Sequence, residues 1–388
     1  MSEHSALLHA AERCLAERGH AAAPLQLVSE LSDAERRNLV LRCALPESDG
    51  IRRGIIIKQA RGAYDPAKLD EWDTRRLFCD WAGAEFLSSL GGAHAPAFLG
   101  GDRARGFVIL EDLGAQRQPL KAALLHGSAN DATRALELLL LRLAGMHGET
   151  SSKLGRYTTT ISQLQGAEPP EQLRYFGQDS AEKLCAFLRE LEPLSDELAA
   201  YAHAAVAKVE AKGPFAAFIH GDPCLENALL QGADLKLIDF ELARPAHALL
   251  DALYVLAPFP TCSCAGLLPV ELAFQLLELY RRELAKHVTA AADLAVFEAA
   301  VLDASDGWLV YRLGWLLREA WQGTEDRDWE RGTTRGRILT GLDQYLLVSR
   351  RLGGGARLAG HVERLLFELE RRWPEAQRLS LFPAFLSR

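Results

Sequence analysis

The chain has 388 residues, 48% of them hydrophobic and 25% charged, enough to bury two separate cores, and this make-up excludes a largely disordered protein. A formal net charge of -8 argues against nucleic acid as a partner, because its phosphates call for a basic face, and tilts towards a neutral or cationic one. No apolar run reaches the roughly 20 residues of a membrane span, and the first 19 residues carry Glu3, Glu12, Arg13 and Glu17 where a signal peptide has its apolar core, so the expected location is cytoplasmic, with no membrane partner.

Apolar residues at helical spacing predict a helix over 5–18. Short apolar or β-branched runs at 25–28, 38–43 and 54–58, separated by polar turns, predict three antiparallel strands. A helix over 69–90 follows, stopped by Gly91-Gly92, and then strands at 97–101 and 107–110. Beyond Pro119 the pattern is mainly helical, over 132–147, 180–212, 270–287, 294–320, 340–351 and 361–373. One β insertion interrupts it, with strands at 215–219, 228–230 and 235–238. Seven cysteines, odd in number and scattered, predict reduced thiols; Cys262 and Cys264 have the spacing of a metal half-site, but no second Cys/His pair accompanies them.

The chemistry concentrates in His220-Gly221-Asp222-Pro223-Cys224-Leu225-Glu226-Asn227, followed 17 residues after Asp222 by Asp239, at the end of an apolar strand in Ile238-Asp239-Phe240-Glu241. Phosphoryl transfer needs a group to accept a hydroxyl proton and oxygen ligands for a metal. Asp222 suits the first role; the Asn227 amide oxygen and the Asp239 carboxylate suit a hard cation such as Mg²⁺. His220 braces the loop. Lys58 ends the run Ile55-Ile56-Ile57, where a kinase places the lysine that grips the α- and β-phosphates of ATP, and as a strand-end charge it is expected to contribute little to stability.

These motifs resemble those of the aminoglycoside phosphotransferase and choline-kinase-like family over roughly residues 25–256. The resemblance implies an α/β (α+β), two-lobed protein-kinase-like fold, with a β-rich nucleotide-binding lobe at 1–113 and a helical catalytic and acceptor-binding lobe at 114–388. It implies ATP and Mg²⁺ as cofactors, Asp222 as the catalytic base, Asn227 and Asp239 as metal ligands, and Asp251 as the anchor of the helix after the metal loop. It makes Asp80 the partner of Lys58, with Glu85 the alternative. It makes Glu111, Asp112 and Leu113 part of an interlobe connector whose backbone meets the adenine edge. The turn at 32–38 departs from kinases that use a Gly-rich phosphate loop, since it has no glycine, and Arg36 or Arg37 is a candidate to reach a phosphate there. Trp308, Trp315 and Trp321 read as core or interface residues before an aromatic cage, and the acceptor pocket is expected within 258–321. The predicted activity is transfer of the ATP γ-phosphate to a hydroxyl of a small acceptor such as an aminoglycoside, amino alcohol or sugar. The alternatives are a catalytically silent nucleotide-binding regulator and a protein kinase; the second lacks an Asp-Phe-Gly or Ala-Pro-Glu segment.

Overall fold

The structure, a computed structural model, describes residues 3–20, 24–33, 35–46, 52–62, 64–167, 178–191, 195–211, 213–353 and 358–386. The chain divides into two compact units: Met1–Gln118 with Gly155–Gln172 and Lys236–Ala243, and Pro119–Leu154 with Leu173–Leu235 and Arg244–Arg388.

The first unit opens with α1 (Glu3–Glu17), then β1 (Gln26–Glu30), β2 (Asn38–Pro46), β3 (Arg52–Ala60), α2 (Trp72–Ser88), β4 (Phe98–Asp102) and β5 (Phe107–Glu111). The strands form one antiparallel sheet in the order β1-β2-β3-β5-β4. Period-2 alternation puts Leu39, Leu41, Cys43, Ile55, Ile57, Phe107 and Ile109 on one buried face, against Leu7, Ala11 and Leu15 of α1. Gly101 on β4 has no side chain because a Cβ there would lie 2.5 Å from the Trp81 ring of α2. The Gly-free turn at 32–38 is held in part by Ser32, whose Oγ accepts from Val40 N at 3.0 Å.

After β6 (Gln118–Pro119) come α3 (Lys121–His126), α4 (Ala129–Thr150) and α5 (Leu154–Gln165), then α6 (Gln178–Leu191) and α7 (Asp196–Glu210). A capping box at Ser128 and Asp131 starts α4. The single periodic stretch predicted over 180–212 is two helices, because Ser195 caps a new start by accepting from Leu198 N; 192–194 and Lys212 lie outside the described residues. The β insertion follows as β7 (Ala216–Ile219), β8 (Ala228–Gln231), β9 (Asp234–Leu237) and β10 (Arg244–His247), with β10 antiparallel to β7. Helices α8 (Leu249–Ala252), α9 (Val270–Leu284), α10 (Leu294–Gln322), α11 (Thr334–Arg351) and α12 (Ala359–Arg372) complete the chain. Among the described residues no helix is long and apolar enough to cross a membrane.

The reduced-thiol expectation needs one correction. Cys224 and Cys262 are joined as a disulfide, their Cα atoms 5.3 Å apart, while Cys14, Cys43, Cys79, Cys185 and Cys264 are buried thiols outside any disulfide. Sequence separation hid the pair, because 38 residues of chain return Cys262 to Cys224. Burial pushes the Cys264 thiol up to about 11.

His247 makes the second unit acid-sensitive. Its Nδ1 faces Leu249 N at 3.3 Å and its ring packs on Phe215, with centroids 5.4 Å apart. Burial, with a smaller push from His147 and against the pull of Asp303, lowers its pKa to about 4. The unfolded chain takes up this proton near pH 6.5 and the folded one only near 4, so the stabilisation is full above pH 6.5 and is lost as pH falls towards 4. Urea unfolding at pH 7 and pH 5 should differ by about 2 kcal/mol from this group, and His247→Gln should remove that part of the slope.

Candidate active site

In the first unit the polar groups gather on Lys58. Its Nζ lies 2.8 Å from Asp80 Oδ2, 2.5 Å from Asp239 Oδ1 and 2.8 Å from Glu241 Oε1. Lys58 is an interior residue of β3, with neighbours Val40 on β2 and Val108 on β5, and its side chain is 12% exposed, so it is not the strand-end charge of little consequence for stability that the sequence suggested. Burial alone would lower its pKa, but Asp239, Asp80 and Glu241 raise it well above the lysine range and keep it charged. Asp80 sits on α2 and is 2% exposed. While one of its oxygens faces Lys58, Oδ1 accepts from Phe240 N at 2.9 Å and so grips the Asp239–Glu241 segment. Burial, together with the Asp239 and Glu241 charges, pushes the Asp80 carboxyl up against the pull of Lys58. Glu85 is engaged elsewhere, with Trp81 Nε1 at 3.0 Å and Arg18 at 3.8 Å.

Two residues that the sequence reading missed complete this cluster. Asn38 Nδ2 donates to Glu241 Oε1 at 2.5 Å, and Arg76 pairs with Glu241 Oε2. Burial opposes ionisation of Glu241, yet Lys58 and Arg76 hold its pKa down to about 2. Arg76 lies one helical turn before Asp80, a spacing that places both on one face of α2 and was readable. Nothing in the sequence signals Asn38. Asp239 adopts a left-handed backbone, with φ 69°, a conformation in which non-glycine residues concentrate at functional sites. Ligand oxygens of Asp80, Asp239 and Glu241 lie within 4.8 Å of one another around the Lys58 ammonium that they balance, and carboxylate oxygen, which Asp239 offers here, is the ligand type a hard cation takes.

The connector's acidic side chains are braces. Glu111 Oε2 accepts from Ala97 N at 3.0 Å, and Asp112 meets Arg42 Nε at 2.9 Å and Gly114 N at 3.0 Å. The backbone N–H groups of Glu111 and Asp112 donate to Ala97 O and Gly54 O. That of Leu113 carries no backbone bond among the described residues. Arg36 and Arg37 are exposed, and Arg36 pairs loosely with Asp33 at 3.9 Å.

In the second unit the loop carrying Asp222 is clamped from below. Asp251, 1% exposed, accepts from His220 N at 2.6 Å through Oδ2 and from Gly221 N at 3.0 Å through Oδ1. His147 Nε2 meets the same carboxylate at 3.1 Å, and its Nδ1 meets Tyr280 OH at 2.7 Å. Asp251, the third residue of α8, therefore holds the backbone of the Asp222 loop. His220 is fully buried and its Nδ1 accepts from Asp222 N at 3.3 Å. Asn227 Nδ2 donates to Asp222 O at 3.1 Å and to Asp222 Oδ2 at 3.5 Å, bonds that use the amide nitrogen and not the amide oxygen. Thr261 and Tyr254, also missed in the sequence, reach Asp222 Oδ1.

Within 258–321 the aromatic residues do not form a cage. Trp308 is 7% exposed and donates to Leu250 O at 2.8 Å, and Trp321 lies beneath Arg372 with 4.1 Å between cation and ring centroid. The apolar cavity lined by Leu253, Pro260, Trp308, Arg312 and Leu342 has a volume of about 40 Å³, room for a few waters rather than a substrate.

The model of the phosphotransferase enzyme family matches residues 84–285, just over half of the chain and including every residue of the Asp222 loop and the Asp239 segment. The chain belongs to the phosphotransferase enzyme family. Among solved structures, a choline kinase from Cryptosporidium parvum is similar over 95% of this chain and 99% of its own, at 13% identity and a TM-score of 0.50, a likeness of fold that is protein-kinase-like. A Plasmodium vivax ethanolamine kinase is 12% identical over 84% of this chain and 81% of its own, with a TM-score of 0.43. A choline/ethanolamine kinase family protein from Mesorhizobium loti is 16% identical over 89% and 93%, with a TM-score of 0.39. No curated protein matches the sequence.

In this phosphotransferase, removing Lys58 should unbalance three carboxylates. Lys58→Ala is expected to lose about 3–5 kcal/mol of stability, the usual consequence of breaking a buried pair, as well as nucleotide binding. Lys58→Arg keeps the charge and should fold, while a guanidinium in place of the compact ammonium weakens nucleotide turnover. Urea unfolding beside ATP titration separates the two effects; unchanged ATP kinetics in both variants would remove Lys58 from the nucleotide site.

Proposed function

We propose that this phosphotransferase moves the γ-phosphate of ATP to a hydroxyl of a small acceptor. The acceptor oxygen bonds to the γ-phosphorus as the bond to the ADP oxygen breaks, and the hydroxyl proton passes to Asp222. Asn227 and Asp239 are the residues that would hold Mg²⁺, whose chemistry is to neutralise charge on the phosphate oxygens. Lys58 serves the α- and β-phosphates, with Asp80 fixing its position, and the Leu113 backbone at the connector meets the adenine edge.

The observation that carries this reading is the buried Asp251 clamp on His220 N and Gly221 N, which fixes the backbone from which Asp222 projects. A carboxylate held this firmly on a loop is pre-organised for a hydroxyl. The test is ADP release from Mg-ATP against a panel of choline, ethanolamine, aminoglycosides, sugars and a generic protein substrate. Choline and ethanolamine head the panel because a net charge of -8 draws cations. Stimulation by a small hydroxyl compound is expected. Stimulation by the protein alone, or none with ATP bound, would overturn the reading in favour of a protein kinase or a silent nucleotide binder.

A further inference from the structure

Two hydroxyls converge on one oxygen of Asp222. Thr261 Oγ1 donates to Asp222 Oδ1 at 2.5 Å, and Tyr254 OH lies 2.9 Å from Thr261 Oγ1 and 3.5 Å from the same carboxylate oxygen. Each hydroxyl has one proton to give. If Thr261 spends its proton on Asp222, Tyr254 supplies the one that Thr261 accepts, and the three groups form an ordered line ending on the carboxylate. Tyr254 is 1% exposed, and burial, then the Asp222 charge, pushes its pKa well above the phenol range, so it stays a donor.

The segment carrying Thr261 is held on several sides. Phe259 has φ 52°, a left-handed backbone that a residue with a bulky side chain keeps only where its surroundings dictate it. Its fully buried ring meets Tyr254 and Phe382 edge-on, at 6.3 and 5.6 Å. Phe259 N donates to Tyr254 O at 2.9 Å, and Cys262 N donates to Phe259 O at 3.1 Å. Arg337, 1% exposed on α11, donates to Cys262 O at 2.6 Å and to Ser263 O at 2.5 Å. The Cys224–Cys262 bond then ties this segment to the loop of Asp222 itself.

We infer that Thr261, backed by Tyr254, is a positioning residue for Asp222, holding its carboxylate through Oδ1 in one orientation towards the acceptor hydroxyl. The inference rests on the reading of Asp222 as the group that meets the acceptor hydroxyl. A valine at 261 fills the same space without a donor, whereas a serine keeps the hydroxyl. Thr261→Val should lower kcat by about 10²-fold, the scale of a small misplacement at a reacting group, with KM for ATP unchanged. Thr261→Ser should recover most of that loss. In an Asp222→Asn background Thr261→Val should have almost no further effect, because the two residues act as one unit.

The experiment is steady-state ADP release from Mg-ATP with the acceptor that the hydroxyl panel returns, on the single and double variants, beside their thermal unfolding. Tyr254→Phe, expected to lower kcat in the same direction with less effect, substitutes if Thr261→Val does not fold. Wild-type kcat in Thr261→Val beside an inactive Asp222→Asn overturns this inference and leaves the base reading standing. A loss equal in both backgrounds also overturns it, since it marks a packing role. Near-normal turnover in Asp222→Asn overturns the base reading first, and this inference with it.

Discussion

Asp222→Asn is expected to bind Mg-ATP almost as the wild type does and to turn over about 10²–10⁴-fold more slowly, the range seen when a general base is lost. The amide keeps the shape of the carboxylate and cannot take the proton. Asp239→Ala should fail earlier, at productive binding of the metal nucleotide, because Asp239 brings an oxygen to the cluster around Lys58. Calorimetric titration of Mg-ATP beside ADP release distinguishes the two. Both variants failing to bind nucleotide would leave Asp222 with no role separate from the metal site, and near-normal turnover in Asp222→Asn would make the loop structural.

Asp251→Asn should lower stability by about 3–5 kcal/mol, as expected when a buried charge with several partners is removed. Both carboxylate oxygens accept backbone N–H bonds, so whichever way the amide turns, an NH₂ is set against a donor. Calorimetry should show a fall in melting temperature on the order of 10 °C. Turnover should fall with it, because the clamp holds the backbone beneath Asp222. An unchanged melting temperature would mean that His147 and the surrounding packing hold the loop without the charge.

The strands of the first unit were legible because they follow period 2 with one buried face, as in Leu39, Leu41 and Cys43 of β2 and Ile55 and Ile57 of β3. Helix α5 was not. Its buried residues Tyr157, Ile161 and Leu164 have helical spacing, but Thr158-Thr159-Thr160 reads as loop or strand by propensity, and tertiary packing decides the matter. The motif residues Lys58, Asp80 and Asp239 were readable, and the structure gathers them within hydrogen-bond distance of one ammonium. What escaped was the support around them. Asn38 is an ordinary strand-start residue, and Thr261 lies 39 positions beyond Asp222 with no local pattern linking the two. Such contacts arise from long-range packing, to which periodicity is blind. The same limit applies to Cys224 and Cys262, where a scattered odd count predicts seven thiols.

The discontinuity of the first unit bears on how the protein is made. Lys58 and Asp239 are 181 positions apart, and Glu241 lies two further on. A ribosome adding about 5–20 residues each second completes the sheet strands on either side of Lys58 on the order of ten seconds or more before it makes those carboxylates. In that interval the nascent sheet must leave Lys58 in water or pair it with Asp80 alone, because an unmatched ammonium is too costly to bury. Final closure of the amino-terminal core is thus a late event in synthesis. A chain stalled or truncated before residue 239 should display a partly open, protease-sensitive sheet even though nearly all of its strand residues have been translated.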